Sequence, residues 1–382
     1  MSSDTTTTGN TAGTGSVGRW TDLDIRCGTD AGTDTTERQP RAPMTMMPMP
    51  LRSSEQPLDT MYDAALLDLD GVVYVGTAPV PAAPEAIDKA RIAGMRVAFV
   101  TNNASRTPAA VAENLMRMGV TASVQDVVTS AQAAARLVAE RFATGANVLA
   151  VGDTGLRQAL RVHGLRPVSV AAEKPVAVVQ GHSPRMGYDL IVEGALAVEE
   201  GALFVATNGD ATAPLGRGVL PGNGSFARVI AHATGVEPIV AGKPQRPLHE
   251  EGVLRTAAER PLVVGDRLDT DIESATTRGV ASMLVLSGVT TPAELVAAEP
   301  QHRPSYLAFD LSGLTARHPA VEVSGEGARC GGWVATTRGG HLELSGDGPR
   351  LDGLRALCAA AWSGPENVDT VTAQAAVAQL GW

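Results

Sequence analysis

The stretch Leu66-Leu67-Asp68-Leu69-Asp70-Gly71 constrains this chain more than any other. Two carboxylates stand two residues apart at the end of the apolar run Ala64–Leu67, and a glycine follows at once. An uncharged run of this kind reads as a strand buried on both faces of a parallel sheet. Charged side chains at its carboxyl end then project into the crevice where open α/β sheets place their chemistry. Residues two apart point to the same side of an extended strand. Asp68 and Asp70 therefore face one site if the strand persists, or fan around it once the chain turns. Gly71 permits a sharp turn just after the pair. Two like charges so close are costly unless a cation or a shared proton relieves them. A single aspartate often does no more than cap a helix. A pair directly after an apolar strand points instead to catalysis or metal binding.

The texture from Asp63 onward is an alternation of apolar runs and amphipathic segments, which predicts a mostly parallel sheet with covering helices. Three further motifs stand at or near the ends of predicted strands. Thr101-Asn102-Asn103-Ala104-Ser105-Arg106 follows the run Met95–Val100; a hydroxyl and backbone N–H groups entering a helix suit an anion, or simply an ordinary helix N-cap. Gly242-Lys243-Pro244 places a lysine between a residue that allows close approach and one that holds the chain extended, although a plain surface loop would read the same. Val263-Val264-Gly265-Asp266-Arg267-Leu268-Asp269-Thr270-Asp271 again ends an apolar strand in acidic residues, which suits a hard divalent cation. Macrodipole stabilisation of a helix N-terminus accounts for Asp269, and less readily for Asp266.

Composition narrows the classes. The chain has 382 residues, enough for two or three domains. A net charge of -10 argues against a general nucleic-acid or membrane-surface binder. Cys27, Cys330 and Cys358 are isolated and odd in number, so neither a disulfide framework nor a zinc site is expected, and a reducing, cytoplasmic setting fits. No apolar stretch is long enough to span a bilayer, and no basic segment followed by an apolar one marks a signal peptide at the N-terminus. Residues 1–58 are rich in Thr, Gly, Ser, Asp and Pro. They read as a disordered tail whose deletion should leave activity unchanged. After Asp310 two strands around an Arg-Gly-Gly turn and two helices, at about Leu351–Trp362 and Asn367–Leu380, predict a small α+β module.

Taken in order, D-x-D-G, T-N-N, G-K-P and G-D-R-x-x-T-D resemble the haloacid dehalogenase superfamily, and in detail its subclass IIA, the NagD-like or para-nitrophenylphosphatase group. The resemblance covers about Asp63–Asp310. It implies a Rossmann-like α/β core with a parallel sheet over 59–142 and 238–310. An inserted α/β cap domain of type C2 is expected over 143–237, and the C-terminal α+β module over 311–382. Ala206-Thr207-Asn208-Gly209-Asp210 and Leu220-Pro221-Gly222-Asn223-Gly224-Ser225 are similar to cap signatures of the subclass. Ser183 stands where many relatives carry an acidic residue, so no role is carried onto it. The C-terminal module resembles a degenerate GNAT-like acetyltransferase fragment without the R/Q-x-x-G-x-G/A loop that holds an acyl-CoA, which implies a structural or interface role, with Trp333, Trp362 and Trp382 as packing residues.

What the resemblance implies chemically is hydrolysis of a phosphate monoester of a small soluble metabolite through an aspartyl phosphate. Asp68 would be the nucleophile and Asp70 the general acid and base. Mg²⁺ would be held by Asp68, the backbone carbonyl of Asp70, and Asp266. Thr101, Asn102, Asn103 and Lys243 would hold the phosphoryl oxygens, Asp210 would meet hydroxyl groups of the substrate, and Asp271 would orient Lys243 or Arg267. The Ala-, Arg- and Gly-rich composition and the C-terminal extension resemble the actinobacterial glycerol-3-phosphate phosphatases of the group. Glycerol 3-phosphate therefore heads the expected substrates, with phosphoglycolate, pyridoxal phosphate and nucleotides behind it. A phosphomutase or a non-catalytic metabolite-binding protein are the competing functions, and the oligomeric state, a homodimer included, is left open.

Overall fold

The strand Ala64–Leu67 lies at the centre of a six-stranded sheet in the order Tyr306–Ala308, Ala281–Val285, Pro261–Gly265, Ala64–Leu67, Arg96–Thr101, Val127–Thr129, every neighbouring pair parallel. The computed structural model describes residues 51–215, 218–325, 327–338, 341–364 and 368–382. All four residues of the central strand are buried, as the continuous apolar run requires when helices cover both faces. The chain leaves this strand toward Arg96–Thr101 on one side and returns to Pro261–Gly265 on the other. The strand order thus reverses between Ala64–Leu67 and Pro261–Gly265, and the carboxyl ends there open into a crevice.

The segment between Val127–Thr129 and Pro261–Gly265 builds a second, five-stranded parallel sheet. Its order is Ile239–Val240, Leu203–Ala206, Ala177–Gln180, Asn147–Val151, Arg166–Val168. A hairpin pairs Thr212–Leu215 with Gly218–Pro221. Beyond the core, four antiparallel strands, Glu322–Ser324, Gly327–Cys330, Trp333–Arg338 and His341–Gly346, are backed by the helix Arg350–Ser363. That helix is bound to the core sheet by Arg355, which donates to the carbonyl of Leu307 on the edge strand at 2.6 Å. Trp362 is buried, donates its indole N–H to Val296 O at 3.2 Å, and stacks on the Arg303 guanidinium.

Two expectations are corrected. Residues 51–58 do not belong to a disordered tail: Leu51 and Leu58 are buried, the Arg52 N–H donates to Ser305 O at 2.8 Å, and the Ser54 N–H donates to His318 O at 2.9 Å. Polar residues dominate this stretch locally, and the two leucines that anchor it join clusters that include residues far along the chain. The expectation for residues 1–50, and the predicted helix start at Asn367, lie outside the described residues. The strand Ile239–Val240, assigned from sequence to the core, pairs instead with Val205 and Ala206 in the second sheet. Two residues carry no pattern that says which sheet they join.

Leu58 is fully buried among core residues. Leu58→Ala should therefore cost about 2–5 kcal/mol in denaturant unfolding. Truncation through residue 58 should cost at least as much, and an unchanged midpoint in the truncated protein would contradict this packing.

Candidate active site

Immediately after Leu67 the chain folds into a tight turn. The Leu69 carbonyl accepts the N–H groups of Val72, Val73 and Tyr74, Gly71 adopts φ +82°, and its N–H donates to Tyr74 O at 2.8 Å. Asp68 is still tied to the sheet, its N–H donating to Val264 O at 2.9 Å. Asp266 follows the neighbouring strand, and Asp271 lies on the helical turn Leu268–Ile272, which has π geometry. Such turns recur at functional sites because they re-aim side chains without breaking the element. Ligand oxygens of Asp68, Asp266 and Asp271 come within 4.8 Å of one another.

Lys243 enters this acidic group from the loop after Ile239–Val240. Its ammonium lies 2.5 Å from Asp68 Oδ1, 2.7 Å from Asp271 Oδ1 and 2.9 Å from the Val100 carbonyl. Three acceptors meet the three donors of an ammonium. Burial opposes the lysine's charge, but Asp271 and Asp68 outweigh it and hold the group well above its ordinary pKa. The same burial, together with the Asp271 and Asp266 charges, pushes the Asp68 carboxyl upward against the pull of Lys243.

Asp266 is pushed up to about 6, first by burial and then by Asp271. One of its oxygens accepts the Val289 N–H at 2.7 Å. The other, Oδ1, is buried without a hydrogen-bond partner among the described residues. A buried, unpaired carboxylate oxygen beside two further carboxylates is costly by itself and is what an oxygen-seeking divalent cation would satisfy. The donor set fits Mg²⁺. Gly71 and Gly288 press against Asp266, and Gly265 presses against Asp271, so closely that a β-carbon on any of them would overlap the carboxylate.

Asp70 stands at the mouth of the crevice. It is solvent-exposed yet packed beside enough protein that loss of hydration raises its carboxyl, with the Tyr74 hydroxyl, Arg106 and Lys243 pulling the other way. Its carboxyl is not one of the three that converge. The family resemblance puts its backbone carbonyl in the ligand set and Asp271 beside Lys243 or Arg267. Asp271 in fact touches both, accepting the Arg267 N–H at 3.3 Å.

Thr101 is buried, and its hydroxyl accepts the Asn103 N–H at 3.1 Å. The Asn103 side chain accepts from Ser105 N, Ser105 Oγ and Arg106 N, shaping the loop that leaves the strand. Asn102 reaches the second sheet, its amide donating to the Asp210 carboxylate at 3.2 Å. The nine residues singled out from sequence thus lie at strand ends, on loops or, for Asp271, on a helical turn that adjoin this crevice or hydrogen-bond into it. Ser183 sits apart, donating to Asp153 at 3.1 Å.

Sequence reading gave no role to Tyr74, Asn208, His249 or Arg278. Asn208 lies inside a quoted motif and Tyr74 three residues beyond one, but nothing in their spacing reveals a partner. His249 lines the apolar cavity beneath Lys243 and Asp271, with Leu66, Val100 and Val263. Burial, and then Arg278, hold its imidazole down to about 4. A base with a depressed folded pKa binds fewer protons folded than unfolded between pH 4 and 6.5. The stability of the folded state therefore falls as pH drops through that window. Relative to His249→Leu, the wild type should lose ~3 kcal/mol of unfolding free energy between pH 7 and pH 4. A pH-independent difference between the two proteins would refute this.

Carboxylates gathered at a topological switch point, with Lys243 bridging Asp68 and Asp271 and a second parallel α/β sheet inserted in the chain, define a Rossmann-like α/β protein with an acidic, cation-suited site. Residues 65–166 match the family model for haloacid dehalogenase-like hydrolases, residues 240–314 a second model for HAD-like hydrolases, and residues 330–382 a GCN5-related N-acetyltransferase-like domain. The chain is 44% identical over 310 residues to a D-glycerol 3-phosphate phosphatase of Mycobacterium tuberculosis, covering 79% of this chain and 86% of that one. A 5'-nucleotidase of Bacillus subtilis is 38% identical over 231 residues, covering 60% of this chain and 89% of the relative. The crystal structure of a glycerol phosphate phosphatase from M. tuberculosis, in complex with magnesium, superposes with a TM-score of 0.77 at 40% identity, covering 85% of this chain and 99% of that chain. The chain belongs to the haloacid dehalogenase-like hydrolase family.

Proposed function

We propose that the protein is a Mg²⁺-dependent phosphatase that hydrolyses glycerol 3-phosphate to glycerol and phosphate. The observation that carries this reading is the convergence of Asp68, Lys243, Asp271 and Asp266 at the switch point, with Asp70 poised at its mouth. An Asp68 carboxylate oxygen attacks phosphorus, the bond from phosphorus to the ester oxygen breaks, and an aspartyl phosphate forms. Asp70, whose raised pKa favours the protonated form, gives its proton to the departing alkoxide. Asp70 then takes a proton from water as that water attacks the phosphoryl group, releasing phosphate and restoring Asp68. Lys243 and the Thr101–Asn103 backbone hold the phosphoryl oxygens as charge develops. The Asp68 and Asp266 carboxylates and the Asp70 carbonyl would hold Mg²⁺, which would supply neutralising positive charge.

The domain reading completes the proposal. The second sheet acts as a cap that excludes water and admits only small phosphates. The C-terminal module is structural, since Trp362 and Arg355 are spent on packing against the core. Among the described residues no helix is long and apolar enough to cross a membrane. Glycerol 3-phosphate is favoured because the relative that shares 86% of its length with this chain is named for that substrate. A nucleotide remains the second reading, from the 5'-nucleotidase relative.

The test is phosphate release with and without Mg²⁺ from both glycerol 3-phosphate enantiomers, phosphoglycolate, pyridoxal phosphate, a mononucleotide and nitrophenyl phosphate. The highest kcat/KM should fall on a glycerol 3-phosphate. A higher value on another ester reassigns the substrate, and release from none of them overturns the phosphatase reading in favour of a phosphomutase or a binding protein. Asp70→Asn should lower kcat by about 10²–10⁴-fold on glycerol 3-phosphate. It should do far less on nitrophenyl phosphate, whose leaving group needs no proton. Equal losses on both esters would rule out the acid role.

A further inference from the structure

Asn102 occupies the joint between the two parallel sheets. Its side-chain oxygen accepts the Lys243 N–H at 2.9 Å. Its amide donates to both oxygens of Asp210 at 3.2 Å and, at longer range, to the Lys243 carbonyl at 3.4 Å. Its own carbonyl accepts the Asn208 amide at 2.7 Å and the Ser130 hydroxyl at 2.6 Å. Asn208 and Asp210 share the loop that follows the second-sheet strand Leu203–Ala206. That loop is anchored in turn: the Asn223 amide donates to Asn208 O at 2.8 Å, and the Gln180 amide donates to Asn223 Oδ1 at 2.9 Å. Gln180, Asn208 and Asn223 are all buried. Buried amides are costly unless paired, so a series of them that ends on one peptide fixes that peptide with high specificity. The peptide it ends on carries Lys243.

We infer that Asp210 and Asn102 form a positioning latch, through which the second-sheet loop sets the Lys243 backbone and so holds its ammonium against Asp68. Glycine at 242 is part of the device, because a β-carbon there would stand 2.6 Å from Asn102 Oδ1 and from the Thr207 carbonyl. This inference rests on the reading of Asp68 and Lys243 as catalytic, and it gives Asp210 a task other than contact with substrate hydroxyls.

The test compares Asp210→Ala, Asp210→Asn, Asn102→Ala and the double variant D210A/N102A in the full chain, with Mg²⁺. Substrates are glycerol 3-phosphate and nitrophenyl phosphate, the second of which offers no hydroxyl to contact. Asp210→Ala should lower kcat about tenfold on both substrates, with KM unchanged within about twofold. Asp210→Asn keeps an acceptor oxygen and should stay within about threefold of wild type. The double variant should be no worse than Asn102→Ala alone. Hydrogen exchange of the Lys243 amide should speed up about tenfold in Asp210→Ala. If that variant fails to fold, Asp210→Ser, whose hydroxyl is too short to reach the Asn102 amide, takes its place with the same expectations. A loss confined to glycerol 3-phosphate and expressed in KM would assign Asp210 to substrate contact and overturn the latch. Additive losses, or unchanged exchange at Lys243, would overturn it as well. If the wild type releases no phosphate from either ester, the phosphatase reading fails, and the exchange measurement still decides the latch by itself.

Discussion

Asp68→Asn is expected to lower Mg²⁺-dependent phosphate release by at least about 10⁴-fold while leaving the metal-free melting temperature unchanged or higher. An amide of nearly the same shape keeps the packing but cannot attack phosphorus to form the aspartyl phosphate. On stability, two effects compete. The substitution removes an ion pair with Lys243 at 2.5 Å, which is stabilising. It also removes a charge whose carboxyl is pushed upward first by burial and then by Asp271 and Asp266. Lys243 keeps Asp271 at 2.7 Å and the Val100 carbonyl at 2.9 Å, so its ammonium is not stranded. Relief of the cost of burying the charge, together with relief of that repulsion, should therefore match or exceed the lost pair, the usual trade of stability for function at a charged site. Parallel melts should also show a smaller Mg²⁺-induced rise in the variant, because a ligand is lost. Retained turnover would remove Asp68 from the nucleophile role. A melting temperature lowered by more than about 5 °C would show that the Lys243 pair dominates.

Lys243→Met should be worse for the protein in every respect. It leaves Asp68, Asp271 and Asp266 facing one another with no cation, and truncating one partner of a buried ion pair costs about 3–5 kcal/mol. Turnover should fall by about 10²–10³-fold through loss of a donor to the phosphoryl oxygens. The distinguishing expectation is its response to metal. A divalent cation can supply part of the charge that the ammonium supplied, so saturating Mg²⁺ should raise the variant's unfolding free energy by more than it raises the wild type's. Denaturant unfolding at matched Mg²⁺ concentrations reads this directly. Equal increments in the two proteins would mean that Lys243 and the metal do not share the same carboxylates.

Much of the core was legible because its signals are local. A continuous apolar run reports burial on both faces, and an aspartate straight after it has only the crevice to enter; this covers Asp68 and Asp266. Thr107 before Pro108 announces a helix start that is seen at Pro108–Arg117, with the Thr107 hydroxyl accepting the Ala110 N–H. The helices Ala83–Ile92 and Thr154–Val162 are not among the elements read from sequence, although each buries residues at helical spacing: Ala83, Ala86, Ile87 and Ala90 in the first, Leu156, Ala159 and Leu160 in the second. Glu322–Ser324 and Gly327–Cys330 escaped because strands of three or four residues carry almost no period.

The sequence by itself determined the kinds of groups at the site and the order in which strands deliver them, since both follow from residue type and from short-range periodicity. Only the tertiary structure decided which of those groups touch. That Lys243 bridges Asp68 and Asp271, and that Asn102 joins Asp210 to the Lys243 peptide, depend on contacts of Lys243 with Asp68 and of Asn102 with Asp210 and Lys243 that join residues more than a hundred positions apart. That Asp266 keeps one buried oxygen unpaired depends on the packing around it. The packing of Leu51 and Leu58 against the far end of the core likewise joins residues far apart in the chain. Distance and direction between such groups are set by how sheets twist and loops pack, and no local pattern in the chain encodes them.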